Sequence, residues 1–114
     1  MDVRFKRELS NQFATPYDVE TLVAKYAKCK DRDILYIGKA EGENGLRQRL
    51  LQYVKFGWNN GNNHRGGRAI WQVEDAGLLL LAYETCDNAS ARERQLIDAY
   101  KEKNGCFPLA NWRR

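Results

Sequence analysis

Ile34-Leu35-Tyr36-Ile37-Gly38-Lys39-Ala40 is the stretch on which the reading of the whole chain turns. Four residues rich in β-formers end at a glycine, which is the pattern of a central strand. Upstream, Thr15-Pro16-Tyr17-Asp18 has the form of a helix start: a threonine cap, proline at the first helical position and an acid three residues after the cap. Val19, Leu22, Val23 and Tyr26 then recur at helical spacing and predict a helix over about 16–28, broken by Asp31-Arg32-Asp33. Val3 and Phe5 alternate in the manner of a short edge strand. Downstream, Leu46, Leu50, Tyr53 and Val54 share one face of a second helix. A polar Gly/Asn/His loop covers 57–67, a short helix is expected from Arg68 to Val73, and Leu78 to Glu84 reads as a buried strand. A last helix over about 89–103 presents Ala89, Leu96, Ile97 and Tyr100, with Pro108 beyond its end. Helices alternating with strands around a small sheet make an α/β or α+β domain.

With 114 residues the chain has room for one core and one domain, spanning 1–114. At 43% hydrophobic and 30% charged residues it has the balance of a globular protein rather than of a disordered tail. The longest apolar run, Leu78 to Ala82, is too short to cross a bilayer, and the opening Met1-Asp2-Val3-Arg4-Phe5-Lys6 lacks the apolar segment of a signal peptide, so no membrane partner is expected. Cys29, Cys86 and Cys106 are an odd set with no close pair. They suggest neither a disulfide framework nor a zinc knuckle, no disulfide-linked partner is expected, and a reducing cytoplasm fits best. The net charge of +4 is unevenly spread: Arg47, Arg49, Lys55, Arg65 and Arg68 fall between Asn44 and Val73, where there is no acid. Such a basic face suits a polyanion, although a charged stretch is often merely solvated.

Two polar residues stand where apolar ones are expected. Arg49 lies three residues after Leu46 and four before Tyr53, at the edge of the apolar stripe. It either snorkels along the core edge or has work there. Glu93 lies three, four and seven residues before Leu96, Ile97 and Tyr100, and a carboxylate on a core-directed face needs a reason. One reason is local, since Ser90-Ala91-Arg92-Glu93 matches a capping box. The other is a hard divalent ion, for which one glutamate on a rigid helix is a sufficient anchor when waters and phosphate complete the shell.

Tyr36-Ile37-Gly38-Lys39-Ala40 resembles the YIG half of the GIY-YIG nuclease signature. Leu46-Arg47-Gln48-Arg49-Leu50 with Tyr53, then Glu93-Arg94-Gln95-Leu96-Ile97, then Asn111 after Pro108 follow in that family's order. The resemblance implies a small antiparallel sheet of about three strands flanked by helices, and a divalent-metal-dependent endonuclease acting on DNA with Mg2+ or Mn2+. It implies that Tyr36 is the strand tyrosine of the site, Arg49 the residue that stabilises charge on the phosphate, Glu93 the metal ligand and Lys39 a lysine near the attacked phosphate. Asn111, near the carboxy-terminal end, and Tyr53 would support the site. The alternative is a nucleic-acid binding domain of the same fold that cleaves weakly or not at all.

Phosphodiester hydrolysis needs charge stabilisation on the phosphoryl oxygens, an activated water and help for the leaving alkoxide. An arginine and a magnesium-like ion supply the first and third. Arg47, Lys55, His64, Arg65 and Arg68 are the candidate DNA contacts. In His64-Arg65-Gly66-Gly67-Arg68 two glycines permit close backbone approach while the cations meet phosphate, or the segment is simply a mobile loop. Gly38 to Gly45 matches neither the Walker A spacing nor the dinucleotide fingerprint. The family's first tyrosine has one candidate, Tyr26, ten residues before Tyr36. It follows Ala24-Lys25 rather than a glycine and an aliphatic residue, and it completes a helical series. On that reading Tyr26 is a core contact, the family's first strand would lie upstream of Met1, and His64 is the first candidate for another base.

Overall fold

The structure, a computed structural model, describes residues 3–9, 15–29, 33–42, 45–57 and 65–112, with the side chains of 52, 55–57 and 65–67 set aside. Its first helix, α1 (Val19–Ala27), buries Leu22 and Tyr26, as the spacing predicts, but starts three residues later than the Thr15-Pro16 signal. Gln72 explains the delay. Its Oε1 accepts the Tyr17 N–H at 2.8 Å, and its Nε2 donates to the Tyr17 carbonyl at 2.8 Å and to that of Lys6 at 3.0 Å. With both polar backbone groups of Tyr17 taken by a side chain, the helical ladder begins only at Leu22 N–H to Asp18 O. Gln72 is fully buried, and three hydrogen bonds meet the cost of putting an amide there.

The second helix α2 (Gly45–Gly57), the short α3 (Arg65–Ile70), a single 3₁₀ turn (Ala76–Leu78) and α4 (Ala89–Asn104) complete the order. α4 is capped at both ends: the Asn88 side chain accepts the Ala91 N–H at 3.1 Å, and Gly105, at φ 75°, takes the left-handed conformation that a helix C-terminus asks of glycine. The core gathers Leu22, Tyr26, Leu35, Ala69, Ile70, Val73, Leu109 and Ala110. No helix among the described residues is long and apolar enough to cross a membrane.

The expected antiparallel sheet of about three strands is not present. Among the described residues no strand forms, and the β-type pairing is an isolated antiparallel bridge between Phe5 and Val73, flanked by Lys6 N–H to Gln72 O and Glu74 N–H to Arg4 O. The α/β assignment thus gives way to a helical architecture. Two causes can be named. Backbone groups of Leu35 and Ile37 find partners in the turn at 108–111 rather than in neighbouring strands: Ala110 N–H donates to Leu35 O at 2.8 Å, and the Asn111 amide brackets Ile37. The Leu78–Glu84 run is not buried, with Leu80 at 100% exposure, Leu78 at 79% and Tyr83 at 71%. An apolar run without alternation is a stable strand only when covered on both faces, and only Leu79 of the run packs against the core.

The cysteine reading also changes. Cys29, just past α1, and Cys106, just past α4, form a disulfide across a separation of 77 residues, while Cys86 is free and exposed. Two cysteines so far apart in sequence meet because α1 and the chain leaving α4 pack together. The inference from unpaired thiols to a reducing cytoplasm therefore loses its basis.

Candidate active site

The segment carrying Tyr36 and Lys39 is fastened from behind by the chain that follows α4. Asn111, itself buried, accepts the Ile37 N–H on Oδ1 at 2.9 Å and donates from Nδ2 to the Ile37 carbonyl at 2.8 Å. It thereby replaces a strand neighbour at one residue. The turn that presents Asn111 is gathered by Lys25 of α1, whose ammonium donates to the carbonyls of Pro108 (2.8 Å), Leu109 (2.5 Å) and Asn111 (2.5 Å) and lies over the Trp112 ring. Burial lowers the Lys25 pKa to about 8, so at neutral pH the three-donor ammonium persists and matches its three acceptors. The disulfide closes the same joint one turn further back.

Asn111→Ala should cost about 1–3 kcal/mol, because the Ile37 N–H and C=O lose their partners in a part-buried place. Asn111→Asp should cost more, since a second oxygen would then face the Ile37 carbonyl. Urea unfolding ranks the two, and wild-type midpoints for both would show that the clamp carries no stability.

In front of this segment is a cavity of about 390 Å³. Its lining includes Tyr36 and Lys39, Arg49 and Gln48 from α2, Glu93 from α4 and Glu41 from the intervening loop. Tyr36, Lys39, Arg49 and Glu93 thus come together on one concave surface. Gly38 makes room for the tyrosine: a Cβ there would lie 2.5–2.9 Å from the ring and hydroxyl of Tyr36, so any larger residue displaces that side chain. Gln48 and Arg49 follow Gly45 by three and four residues, which puts all three on one helix face.

Glu93 stands inside α4 rather than at its cap. The helix begins at Ala89 under Asn88, so the third helical position is Ala91 and the capping-box reading of Ser90 and Glu93 does not apply. Ser90 is used otherwise: its hydroxyl accepts from Lys39 Nζ at 2.5 Å and donates to Glu41 Oε1 at 2.7 Å, with Lys39 Nζ 3.7 Å from the same oxygen. The Ser90 hydrogen bond first, and then the charge of Lys39, hold the Glu41 carboxyl below the usual range. Glu41, Gln48 and Ser90 were not among the site residues expected from the sequence, where Ser90 was considered only as a helix cap. For Gln48 the helical spacing from Gly45 is a usable signal, whereas Glu41 and Ser90 meet only through the fold.

Other predicted residues are placed differently. Tyr53 is half-buried, stacks on Trp71 at 5.1 Å and receives the Trp71 indole N–H on its carbonyl at 3.1 Å, which joins α2 to the end of α3. Burial pushes its hydroxyl up to about 12, so it remains a phenol, and it does not line the cavity. Arg47 is exposed on α2, outside the cavity lining, and Arg68 lies over the Tyr17 ring at 5.5 Å rather than in the cavity. His64 and the side chains of Lys55 and Arg65 lie outside the described residues. Tyr26 is on α1, buried and edge-on to Phe5, and does not line the cavity. No group of three or more His, Cys, Asp or Glu among the described residues is arranged to hold a metal ion. The chain matches no protein-family model, no curated protein and no solved structure.

Proposed function

We propose that the cavity binds a phosphodiester of DNA and, with a divalent ion of the magnesium type, hydrolyses it, as the resemblance to GIY-YIG nucleases implies. The observation that carries this reading is the convergence of Tyr36, Lys39, Arg49 and Glu93, from three separate parts of the chain, on one cavity. It rests on these side chains and not on the family's sheet, which the described residues lack. Arg49 presents a planar fork suited to two phosphoryl oxygens, and Lys39 adds a point charge beside it. Glu93 is a hard oxygen donor on a rigid helix and suits such an ion, which takes one or two carboxylates and completes its shell with water and phosphate. When bound, the ion would supply Lewis-acid stabilisation of charge on the phosphate and leaving oxygens. Tyr36 has its hydroxyl end over Gly38 at the cavity and is the group of this chain nearest to the role of water activation.

One observation favours a second reading, a domain that binds DNA and metal but cleaves weakly. Tyr26 packs in the core, so the cavity has one tyrosine where the family uses two. The test is incubation of supercoiled, branched and single-stranded DNA with magnesium or manganese, with and without chelator. Cleavage that chelator abolishes supports the nuclease. Salt-sensitive binding without cleavage supports the second reading, and neither binding nor cleavage rejects both.

A further inference from the structure

We infer that Glu41 sets the specificity of the cavity: its carboxylate occupies the place against Lys39 and Ser90 that a ligand phosphate oxygen takes, and it must yield for the ligand to enter. The inference rests on the reading of the cavity as a phosphate site.

One oxygen, Glu41 Oε1, meets both partners, accepting the Ser90 hydroxyl at 2.7 Å and lying 3.7 Å from the Lys39 ammonium. A hydroxyl and an ammonium converging on one anionic oxygen are what a phosphate oxygen would also find. Glu41 reaches this place from the loop between Lys39 and α2, where Gly42, at φ 92°, lets the chain turn in a conformation that side chains disfavour. The contact is displaceable. The side chains of Lys39 and Glu41 are 40% and 55% exposed, and ion pairs so open to water hold their partners weakly. A ligand oxygen that enters turns the Glu41 carboxylate outward without disturbing any buried group.

Turned outward, the carboxylate still lies near the entered anion and repels it in proportion to that anion's charge. Phosphodiesters carry one negative charge, whereas at neutral pH free phosphate carries about one and a half and terminal phosphate groups about one and a half to two. Glu41 thus favours the internal linkages of a nucleic-acid strand over free phosphate and strand ends.

The test measures binding of inorganic phosphate, and of a short single-stranded oligonucleotide without terminal phosphate, to the wild type, E41Q and E41Q/K39A. Thermal unfolding of each checks the fold, and E41A serves where E41Q is poorly folded. Glutamine keeps an acceptor for Ser90 while removing the charge. E41Q should bind phosphate about tenfold more tightly and the oligonucleotide about fivefold, a charge about two-thirds as large giving about two-thirds of the logarithm. Both gains should vanish in E41Q/K39A. Tighter phosphate binding with no oligonucleotide binding by any variant would keep the Glu41 inference and remove the DNA reading. Wild-type oligonucleotide binding that E41Q leaves unchanged would keep the DNA reading and overturn the inference. Phosphate affinity in E41Q no higher than in the wild type, including no binding by either, overturns it as well.

Discussion

Removing the Cys29–Cys106 bond, by reduction or in a Cys29→Ser/Cys106→Ser double variant, should lower stability by about 4 kcal/mol. The bond closes a loop with a sequence separation of 77, and in the chain-entropy account a loop of that size restricts the unfolded ensemble by about 4.5 kcal/mol, slightly above the usual measured range of about 2–4 kcal/mol. Against a total of about 5–15 kcal/mol for an ordinary domain, this is a large share. Its local effect should fall on the chain leaving α4, where Phe107 to Asn111 would be held by core packing of Leu109 and Ala110, Lys25, the Ala110–Leu35 bond and the Asn111 clamp. Urea unfolding of oxidised and reduced protein, with Cys86 blocked in both, measures the difference. Coincident midpoints would show that the bond constrains nothing that the packing has not already constrained.

Glu93→Gln should reduce metal-dependent DNA cleavage by about 100-fold or more, because the amide is a poor ligand for a hard ion and loses the charge that holds it. Stability should change little. The capping of α4 belongs to Asn88, and Glu93 takes no part in it. Where the wild type cleaves too feebly for a rate comparison, manganese affinity is the readout, and it should fall in the same variant. A folded Glu93→Gln protein with wild-type manganese affinity would remove Glu93 from the metal and leave the proposed chemistry without an anchor.

Helical periods in the sequence were legible, whereas strand composition and long-range partners were not. The last helix, expected over about 89–103, is observed as Ala89–Asn104, because its apolar period lies within one segment with Pro108 beyond its end. Tyr26 sits on α1 for the same reason. Polar residues on apolar faces, Arg49 and Glu93, marked two walls of the cavity, since a charge directed at a core edge asks for a partner. The failures share a cause. Gln72 delays α1 from 55 residues away, Asn111 takes the backbone partners of Ile37 from 74 away, and the disulfide spans 77. Ile34–Ile37 has strand composition, but composition states a preference and not which neighbour will supply the hydrogen bonds. Leu78–Glu84 likewise shows that apolar content does not decide whether anything is at hand to cover it.

The bare leucines around the 3₁₀ turn also govern how the protein behaves in bulk. Leu78, Leu80, Leu81 and Tyr83 stand open to solvent within six residues, with no charge or proline before Glu84. Such a segment is an aggregation hazard, and colloidal loss is expected to set the ceiling on working concentration before unfolding does, which light scattering against concentration would check. Salting-out anions lower that ceiling by strengthening apolar association, and the +4 net charge raises it at low ionic strength by keeping copies apart. Dilute, low-salt handling and a charged residue introduced at Leu80, the most open of the four, are the corresponding remedies for precipitation.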